Sequence, residues 1–427
     1  MASNNQRWAV ARPLPAEADQ ALQGYHPVFR QILYNRGFQN HEAARRYLQA
    51  LPPDGSDPMS MLGVSEAVDR IRYAIQDGQE IAIYGDYDAD GVTATALLSQ
   101  ALGGLGARAR GYIPNRFDEG YGLNNEALDI LKSEGIGLVI TVDCGIRSLE
   151  EGAHARKIGL DIIISDHHQP ANELPQAVAI INPKQPDDVY PEKELAGVGL
   201  AYKLAEALYL PDNPEVETFL DLVAIGTVAD LAPLSGENRS LVRRGMEYLR
   251  RPQRQGVMSL IGCAGLYPAS LNASHIGYML GPRLNAAGRL DSALAALELL
   301  MATNPVRAGE LAQMLDNQNR ERQRLTQEVQ KQAELLALAD DPHALLLFAV
   351  HTDFNPGVVG LAASRLTERY YRPATVASQG EETTRASCRS IPEFHITEAL
   401  DQCGDLLVKH GGHAAAAGFT VRNENLG

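Results

Sequence analysis

The sequence predicts an α/β protein in which a parallel-sheet domain is joined by one long helix to a smaller α/β domain. Three observations predict this architecture. Apolar, strand-like runs alternate with helical segments from about residue 62, a long polar helical stretch follows at 307–338, and a second alternation of strand and helix comes after it. Such alternation is typical of parallel sheets covered by helices on both faces.

The first 60 residues are predicted to be helical pieces and loops, with a break at the Pro-Pro-Asp-Gly segment 52–55. Strand-like runs then occur four times, each next to a helical segment such as 125–134 or 149–158. These runs are residues 80–84, 137–142, 160–164 and 177–181.

Residues 307–338 place their apolar side chains near helical spacing, which predicts one long helix. Because this helix is polar over most of its circumference, we expect it to bridge two domains. A strand at 344–350 and a helix at 357–370 follow. We therefore expect an N-terminal helical extension (1–60), a catalytic domain (61–300), a connecting helix (301–342) and a smaller domain (343–427).

Composition indicates an ordinary globular protein of 427 residues, with 45% hydrophobic and 21% charged residues. No apolar run approaches the length that crosses a bilayer, and the first residues lack a signal-peptide pattern, so a cytoplasmic location without membrane association is expected. The four cysteines are scattered without a C-x-x-C pair and indicate neither a disulfide framework nor a zinc ribbon.

The net charge of −15 argues against a protein that binds nucleic acid through a globally basic surface. One segment departs from this balance, since residues 239–254 contain six arginines and one acid. A solvated helix face and a track for phosphates both explain such a run, and the sequence leaves the choice open.

The segment Gly-Asp-Tyr-Asp-Ala-Asp-Gly at 85–91 places Asp86, Asp88 and Asp90 at alternate positions between a strand-like run and a helix. Three carboxylates so close repel one another unless a cation lies among them. An EF-hand loop would need a glutamate at its twelfth position, where Leu97 stands. A helix N-cap explains one carboxylate and not three, so a divalent metal is the preferred explanation.

Three further segments end an apolar run with a side chain that can bind a metal: Asp143, the triplet Asp166-His167-His168, and Asp230. In an open parallel sheet, ligands bind outside the carboxyl ends of the strands, so we expect the four segments to converge there. Each has an ordinary explanation by itself, as an N-cap or a surface residue. Together they predict a metal site of carboxylates and imidazoles.

The chemistry follows from the kinds of ligand. Carboxylates with one or two imidazoles and no thiolate suit Mn²⁺ or Mg²⁺ better than structural zinc. Five or more candidate ligands are too many for one ion and indicate a pair. Two ions about 4 Å apart stabilise the attacking and leaving oxygens of a phosphoryl displacement, so phosphoester or phosphoanhydride hydrolysis is the expected reaction class.

The Asp-His-His triplet, with GDYDADG before it, TVDCG between and VADLAPL after it, resembles the DHH phosphoesterase superfamily. Segments 115–122, 281–290, 387–390 and 411–418 are similar to those of its bacterial single-strand-specific 5′→3′ DNA exonucleases, which act in repair and recombination. The resemblance implies a DHH domain for the parallel sheet and a DHHA1 domain for the smaller unit.

The resemblance also implies roles for the metal-site residues. Asp90, Asp143, His167 and Asp230 would hold one ion, and Asp88 with the bridging Asp143 would hold the second. The implied catalytic side chains, which lie near the ions and act on ligands or phosphate, are Asp86, Asp166 and His168.

A second implied set contacts DNA. Arg116 would help to receive the 5′ end, and the others would hold the phosphate backbone. Structural arginines and a simple tight turn remain the alternative explanation for this set. Its members are Arg116, Arg283, Asn285, Arg289, Ser387, Arg389, Gly411, Gly412 and His413.

The implied partners are single-stranded DNA, two Mn²⁺ or Mg²⁺ ions, a single-strand-binding protein and a helicase. The alternatives are a DHH phosphodiesterase for short oligonucleotides or cyclic dinucleotides, and an inactive scaffold of the replication machinery. Tyr84 stands where some members have a histidine, which leaves one ligand of the second ion undetermined. Members also continue into an oligonucleotide-binding barrel, which implies that this chain is a fragment or a minimal version.

Overall fold

The computed structural model describes residues 9–115, 122–211, 213–339 and 341–426. The strands in these ranges are β1 Glu80–Gly85, β2 Arg108–Tyr112, β3 Ile136–Val142, β4 Asp161–Ser165, β5 Ala179–Ile181, β6 Leu347–His351, β7 Ala374–Gln379, β8 Thr383–Arg389, β9 Leu407–Gly412 and β10 Ala416–Arg422.

The helices lie before, between and after these strands. They are α1 Ala16–Ala21, α2 Pro27–Asn35, α3 His41–Gln49, α4 Val64–Gln76, α5 Ala89–Gly104, α6 Asn125–Ser133, α7 Leu149–Lys157, α8 Gly197–Leu208, α9 Pro214–Glu217, α10 Leu220–Ala229, α11 Gly236–Leu249, α12 Gln255–Cys263, α13 Ala273–His275, α14 Gly281–Leu290, α15 Leu294–Met301, α16 Pro305–Ala339, α17 Val359–Tyr370 and α18 Ile396–Asp401. A π-helical turn, Ile276–Leu280, joins α13 to α14.

The first sheet has the strand order β2-β1-β3-β4-β5, and all its pairs are parallel. This confirms the predicted parallel sheet and adds one strand to it. The sequence of β2, Arg-Ala-Arg-Gly-Tyr, has no apolar run because the strand lies at the sheet edge and is partly exposed. The composition of β2 does not indicate a strand, and its place in the sheet is defined by its pairing with β1.

Both faces of the sheet are buried. Along β1, Ile81 and Ile83 belong to a core shared with α5 and α8, while Ala82 and Tyr84 belong to a second core shared with α6. Burying one such isoleucine contributes roughly 1.5–3 kcal/mol, so the two cores fix the sheet between helical layers. The carboxyl edge of the strands then becomes a rigid base for the loops that follow them.

The predicted long helix is α16, and it joins two bodies as expected. Its first half packs on α12, α14 and α15, burying Leu311 and Leu315, and its second half packs on β6 and α17, burying Val329 and Ala333. The second sheet has the order β6-β7-β8-β10-β9, in which only β6 and β7 are parallel. The two-part α/β architecture joined by a long helix is thus confirmed.

The arginine-rich segment contacts the protein itself. Arg239 lies over the Tyr47 ring at 3.9 Å and Arg243 donates to the Leu48 carbonyl, so both bind the N-terminal helices. Arg244 pairs with Glu217 at 2.7 Å, and Arg254 pairs with the buried Asp221 at 3.1 Å. These contacts give the run a structural role that neither of the two sequence interpretations included.

Across the described ranges, no helix has both the length and the apolar composition that a bilayer crossing requires.

Candidate metal centre

The segment after β1 forms a tight turn, in which the backbone at Gly91 leaves no room for a side chain. Asp86 follows the strand, and Asp88 is the N-cap of α5, where its Oδ1 accepts hydrogen bonds from the N–H groups of Asp90 and Gly91 at 2.8 and 3.1 Å. A Cβ atom at Gly91 would lie 2.5 Å from the Asp86 carbonyl oxygen. The N-cap role therefore accounts for Asp88 alone, and the tight turn holds the other two carboxylates beside it.

Asp90 is held from the opposite side by helix α8. Its Oδ2 accepts from the Gly197 N–H at 2.7 Å and its Oδ1 from the Val198 N–H at 2.8 Å. A helix N-terminus favours negative charge. Burial, and then the nearby carboxylates of Asp230 and Asp88, nevertheless raise the pKa of Asp90 well above its usual value. The cluster therefore carries an electrostatic cost that a cation would relieve.

Asp143 follows β3 in the left-handed conformation, with φ of 63°. Its Oδ1 lies 3.0 Å from Nε2 of His167, and among the described residues neither of these buried atoms has a hydrogen-bond partner. Buried polar atoms are rarely left unpartnered. Burial and the charges of Asp90 and Asp88 raise the pKa of Asp143 well above its usual value. A metal ion held by Asp143 and His167 would give both atoms a partner and would offset the charge of the neighbouring carboxylates.

His167, which follows β4, is suited to ligation. Burial, and then the neighbouring His168, lower the pKa of His167 to about 4, so its imidazole is neutral near pH 7. The neutral imidazole is the form that binds metals. Its Nε2 also lies 3.9 Å from Oδ2 of Asp90 and 3.9 Å from Oδ2 of Asp230.

Asp166 orients His168. Its Oδ1 lies 2.7 Å from Nδ1 of His168, and its Oδ2 accepts from the Ile146 N–H at 2.9 Å. Burial acts to lower the pKa of His168, but the hydrogen bond to Asp166 and the charges of Asp166, Asp230 and Asp86 together outweigh it and raise that pKa. The His168 ring is thus held at the cavity in a form that readily carries positive charge.

Asp230 lies near the carboxylate cluster as expected, but it does not follow a strand of the sheet. The apolar run before Asp230 is the buried helix α10 and not a strand, and Asp230 is its C-cap. A short, wholly apolar run cannot distinguish a buried strand from a buried helix. Oδ2 of Asp230 lies 3.9 Å from Nε2 of His167, so the side chain faces the carboxylate cluster. Burial, and then Asp88, raise the pKa of Asp230 there to about 7.

The candidate ligands form adjoining groups whose donor atoms lie within 4.8 Å of one another. Asp143 is a member of two groups and contacts the third through His167. This geometry fits two neighbouring ions with Asp143 between them. The groups are Asp90, His167 and Asp230; Asp86, Asp88 and Asp143; and Asp143, His167 and His168.

A cavity of about 670 Å³ opens onto this cluster. One wall carries the carboxylates, and the larger and smaller domains contribute cationic or imidazole side chains. Negative and positive groups therefore face the same space, as a site for metal ions and phosphate requires. The cationic and imidazole side chains that line the cavity are Arg147, His168, Arg289, Arg389 and His413.

Ser387 lies in an adjoining cavity of about 330 Å³, together with Arg289, Arg385 and Arg389. Its Oγ accepts a hydrogen bond of 3.1 Å from Arg389. Gly411 and Gly412 form the end of β9 and not a turn, and the chain turns at His413. Arg116 lies outside the described residues.

Two predicted phosphate contacts are not brought to the main cavity. Arg283 pairs with Asp316 at 2.8 Å and donates to the Met279 carbonyl, and Asn285 accepts from the Ala89 N–H at 2.7 Å. Neither belongs to the lining of either cavity. Their side chains reach other parts of the protein because α14 is packed between α5 and α16.

Sequence reasoning missed several cavity residues. Tyr87, Arg147, Ser148 and Glu151 line the cavity, and each lies within or shortly after a segment that carries a predicted ligand. Their closeness in sequence to the predicted ligands could have indicated that they line the cavity.

Tyr84 is buried, and its side chain is held by hydrogen bonds and a ring contact. Its hydroxyl donates to the Gly122 carbonyl at 3.0 Å and accepts from Asn124 at 3.1 Å, and its ring stacks on Tyr112. It belongs to the core shared with α6.

Known families match both bodies of the structure. Residues 80–227 match the DHH family, N-terminal domain, and residues 343–427 match the DHHA1 domain. The fold and the site thus define a protein of the DHH class. Within it, the chain is 43% identical over its whole length to the single-stranded-DNA-specific exonuclease RecJ of Bacillus subtilis, of which it spans 54%.

The exonuclease RecJ of Escherichia coli is 39% identical over 93% of the chain, which covers 72% of that protein. The structure of RecJ from Thermus thermophilus in complex with Mn²⁺ superposes with a TM-score of 0.82, at 33% identity, over 96% of this chain and 58% of that one. The chain belongs to the RecJ family.

Proposed function

We propose that this chain hydrolyses the phosphodiester bonds of single-stranded DNA from the 5′ end, using two Mn²⁺ or Mg²⁺ ions. The observation that carries the proposal is the position of Asp143 between two groups of candidate ligands, with its buried Oδ1 3.0 Å from the unpartnered His167 Nε2. Strandedness is supported by the names of the relatives. The polarity is what the sequence resemblance implies, and the site supports the reaction class.

Asp90, Asp143, His167 and Asp230 would hold one ion, and Asp86, Asp88 and Asp143 the other. Bound ions supply a hydroxide nucleophile at neutral pH and stabilise charge on the phosphate oxygens. Asp166 holds His168 at the cavity, where the imidazolium form would donate to a phosphate oxygen.

The remaining groups would bind the strand. Arg289, Arg389 and His413 line the same cavity as the carboxylates and would contact the backbone of a strand whose scissile phosphate lies there. Arginine donates two parallel hydrogen bonds to phosphate, which suits it to this task. Ser387, Gly411 and Gly412 lie close to these groups in the smaller domain and would complete the contact.

The division into an extension (1–60), a catalytic domain (61–300), a connecting helix (301–342) and a DHHA1 domain (343–427) is part of the proposal. So are a role in repair and recombination in the cytoplasm and the partnership with a single-strand-binding protein and a helicase. The presence of carboxylates and imidazoles in three groups that could bind metal supports an enzyme over an inactive scaffold.

The proposal is tested with single strands and blunt duplexes labelled at either end. We expect the purified chain to release the 5′ label from single strands in the presence of Mn²⁺, and to stop when the metal is chelated. Equal digestion of duplex, or earlier release of the 3′ label, would refute the assigned strandedness or polarity. Cleavage that persists after chelation would refute the metal mechanism.

A further inference from the structure

Helix α14 touches the metal-site turn at two points, both on backbone atoms. Oδ1 of Asn285 accepts a hydrogen bond of 2.7 Å from the N–H of Ala89. Three residues later, Gly288 lies so close to Tyr87 that an added Cβ would come within 2.6 Å of the Tyr87 carbonyl oxygen. The placement of the turn therefore depends on α14.

The hydrogen bond to Ala89 completes the N-terminus of α5. The first N–H groups of a helix have no partner within the helix. The Asp88 carboxylate satisfies those of Asp90 and Gly91, and its backbone carbonyl satisfies that of Val92. Ala89 is buried, and its N–H donates its hydrogen bond to the side chain of Asn285. Without that acceptor, the N–H would compete for a carboxylate oxygen that the metal site uses.

Helix α14 is itself anchored. Arg283 pairs with the buried Asp316 of α16 at 2.8 Å and donates at 2.6 Å to the Met279 carbonyl in the π-helical turn. Asn285 is therefore presented from a helix that is fixed to the connecting helix α16. A side chain on a fixed element can hold a site geometry to a fraction of an ångström.

We infer that Asn285 is a positioning residue of the metal centre, which holds the Ala89 N–H so that Asp88 and Asp90 keep the geometry the ions need. This assigns it a task other than the phosphate contact expected from the sequence. The inference rests on the proposed function, because it presumes that the carboxylates bind metal.

The first test is Asn285→Ala, with Mn²⁺ titrated into metal-free protein by calorimetry in the absence of DNA. We expect Mn²⁺ to bind about 10-fold more weakly, as is typical when a group that orients ligands is removed. Turnover should fall at low Mn²⁺ and recover with excess Mn²⁺, because every ligand is still present. The dissociation constant for single-stranded DNA and its salt dependence, measured without metal, should not change.

Asn213→Ala is the matched control. Asn213 makes the same kind of bond at the N-terminus of α9, to the Glu215 N–H at 2.9 Å, and it does not line the cavity. We expect unchanged Mn²⁺ affinity in this variant. Equal weakening in both variants would mean a general loss of stability and would overturn the inference.

Gly288→Ala tests the same helix without removing a polar group. The added methyl group should displace the turn and weaken Mn²⁺ binding, as Asn285→Ala does. If Asn285→Ala does not fold, the Mn²⁺ affinity of Gly288→Ala tests the inference by itself. Unchanged Mn²⁺ affinity in the folded variants, or weaker DNA binding with a flatter salt dependence in Asn285→Ala, would overturn the inference. Wild-type protein that binds no Mn²⁺ would instead refute the proposed function.

Discussion

The Oδ1 atom of Asp143 lies 3.0 Å from Nε2 of His167, in a buried position where the described part of the chain offers neither atom a hydrogen-bond partner. The two residues follow neighbouring parallel strands, β3 and β4, whose register brings Val142 beside Ser165. Sheet geometry thus places a carboxylate against a neutral imidazole, and both sides of the pair adjoin further carboxylates. An ion at this point would contact ligands from four separate chain segments.

Replacing Asp143 by asparagine removes the charge that both candidate ions would share. Asparagine tolerates the left-handed conformation that Asp143 adopts, so the fold should be retained. We expect turnover of single-stranded DNA to fall at least about a hundredfold at saturating Mn²⁺. Asp161→Ala is the control, because Asp161 lies at the opposite end of its strand and pairs with Arg70. Near-wild-type hydrolysis by Asp143→Asn would contradict the shared-ligand assignment.

Arg389→Ala tests the contribution of the smaller domain. Losing one phosphate contact should weaken binding of single strands and reduce the slope of log Kd against log salt by about 0.7. Mn²⁺ affinity should not change, since Arg389 is not among the candidate ligands. Arg369→Ala, which removes an exposed arginine paired with Glu334, serves as the control. A dissociation constant that stays constant across a salt series would exclude the phosphate contact.

Asp230 should make the stability of the metal-free protein depend on pH. Its pKa of about 7 in the folded state exceeds the ordinary value of 3.8, so the folded state binds more protons between these values. Stability therefore falls as pH rises from about 4 to 7 and then levels off. We expect the melting temperature of wild type, relative to Asp230→Asn, to fall over that range without metal. A constant difference between the two proteins would show that Asp230 does not face the carboxylate cluster.

Tyr84→Phe should separate stability from metal binding. The substitution removes the hydroxyl that donates to Gly122 and accepts from Asn124, at an expected cost of about 1 kcal/mol in the free energy of unfolding. Because the ring lies in the core shared with α6, Mn²⁺ affinity should remain that of wild type. Denaturant unfolding and calorimetry measure the two quantities, and a loss of Mn²⁺ affinity would place Tyr84 in the metal centre.

Local patterns were enough to predict the elements whose side chains are buried on regular faces. The strands β1, β3 and β4 were predicted within a few residues because burial on both faces gives continuous apolar runs. The helix α16 was predicted because its buried side chains recur at helical spacing. Strand β2 was missed because an edge strand needs little apolar surface. The setting of Asp230 was wrong because a helix buried on all sides leaves no periodicity to detect.

The sequence by itself determined the parallel sheet, the carboxylate-rich turn and the set of candidate ligands, because these depend on side-chain chemistry and on spacing over a few residues. Only the tertiary structure decided which polar side chains reach the cavity. Asn285 meets Ala89 across 196 positions of chain and Arg283 meets Asp316 on another helix, whereas Arg389 enters the cavity from the smaller domain. The direction of a polar side chain is chosen by the partners that packing brings within reach, and a short stretch of sequence does not contain those partners.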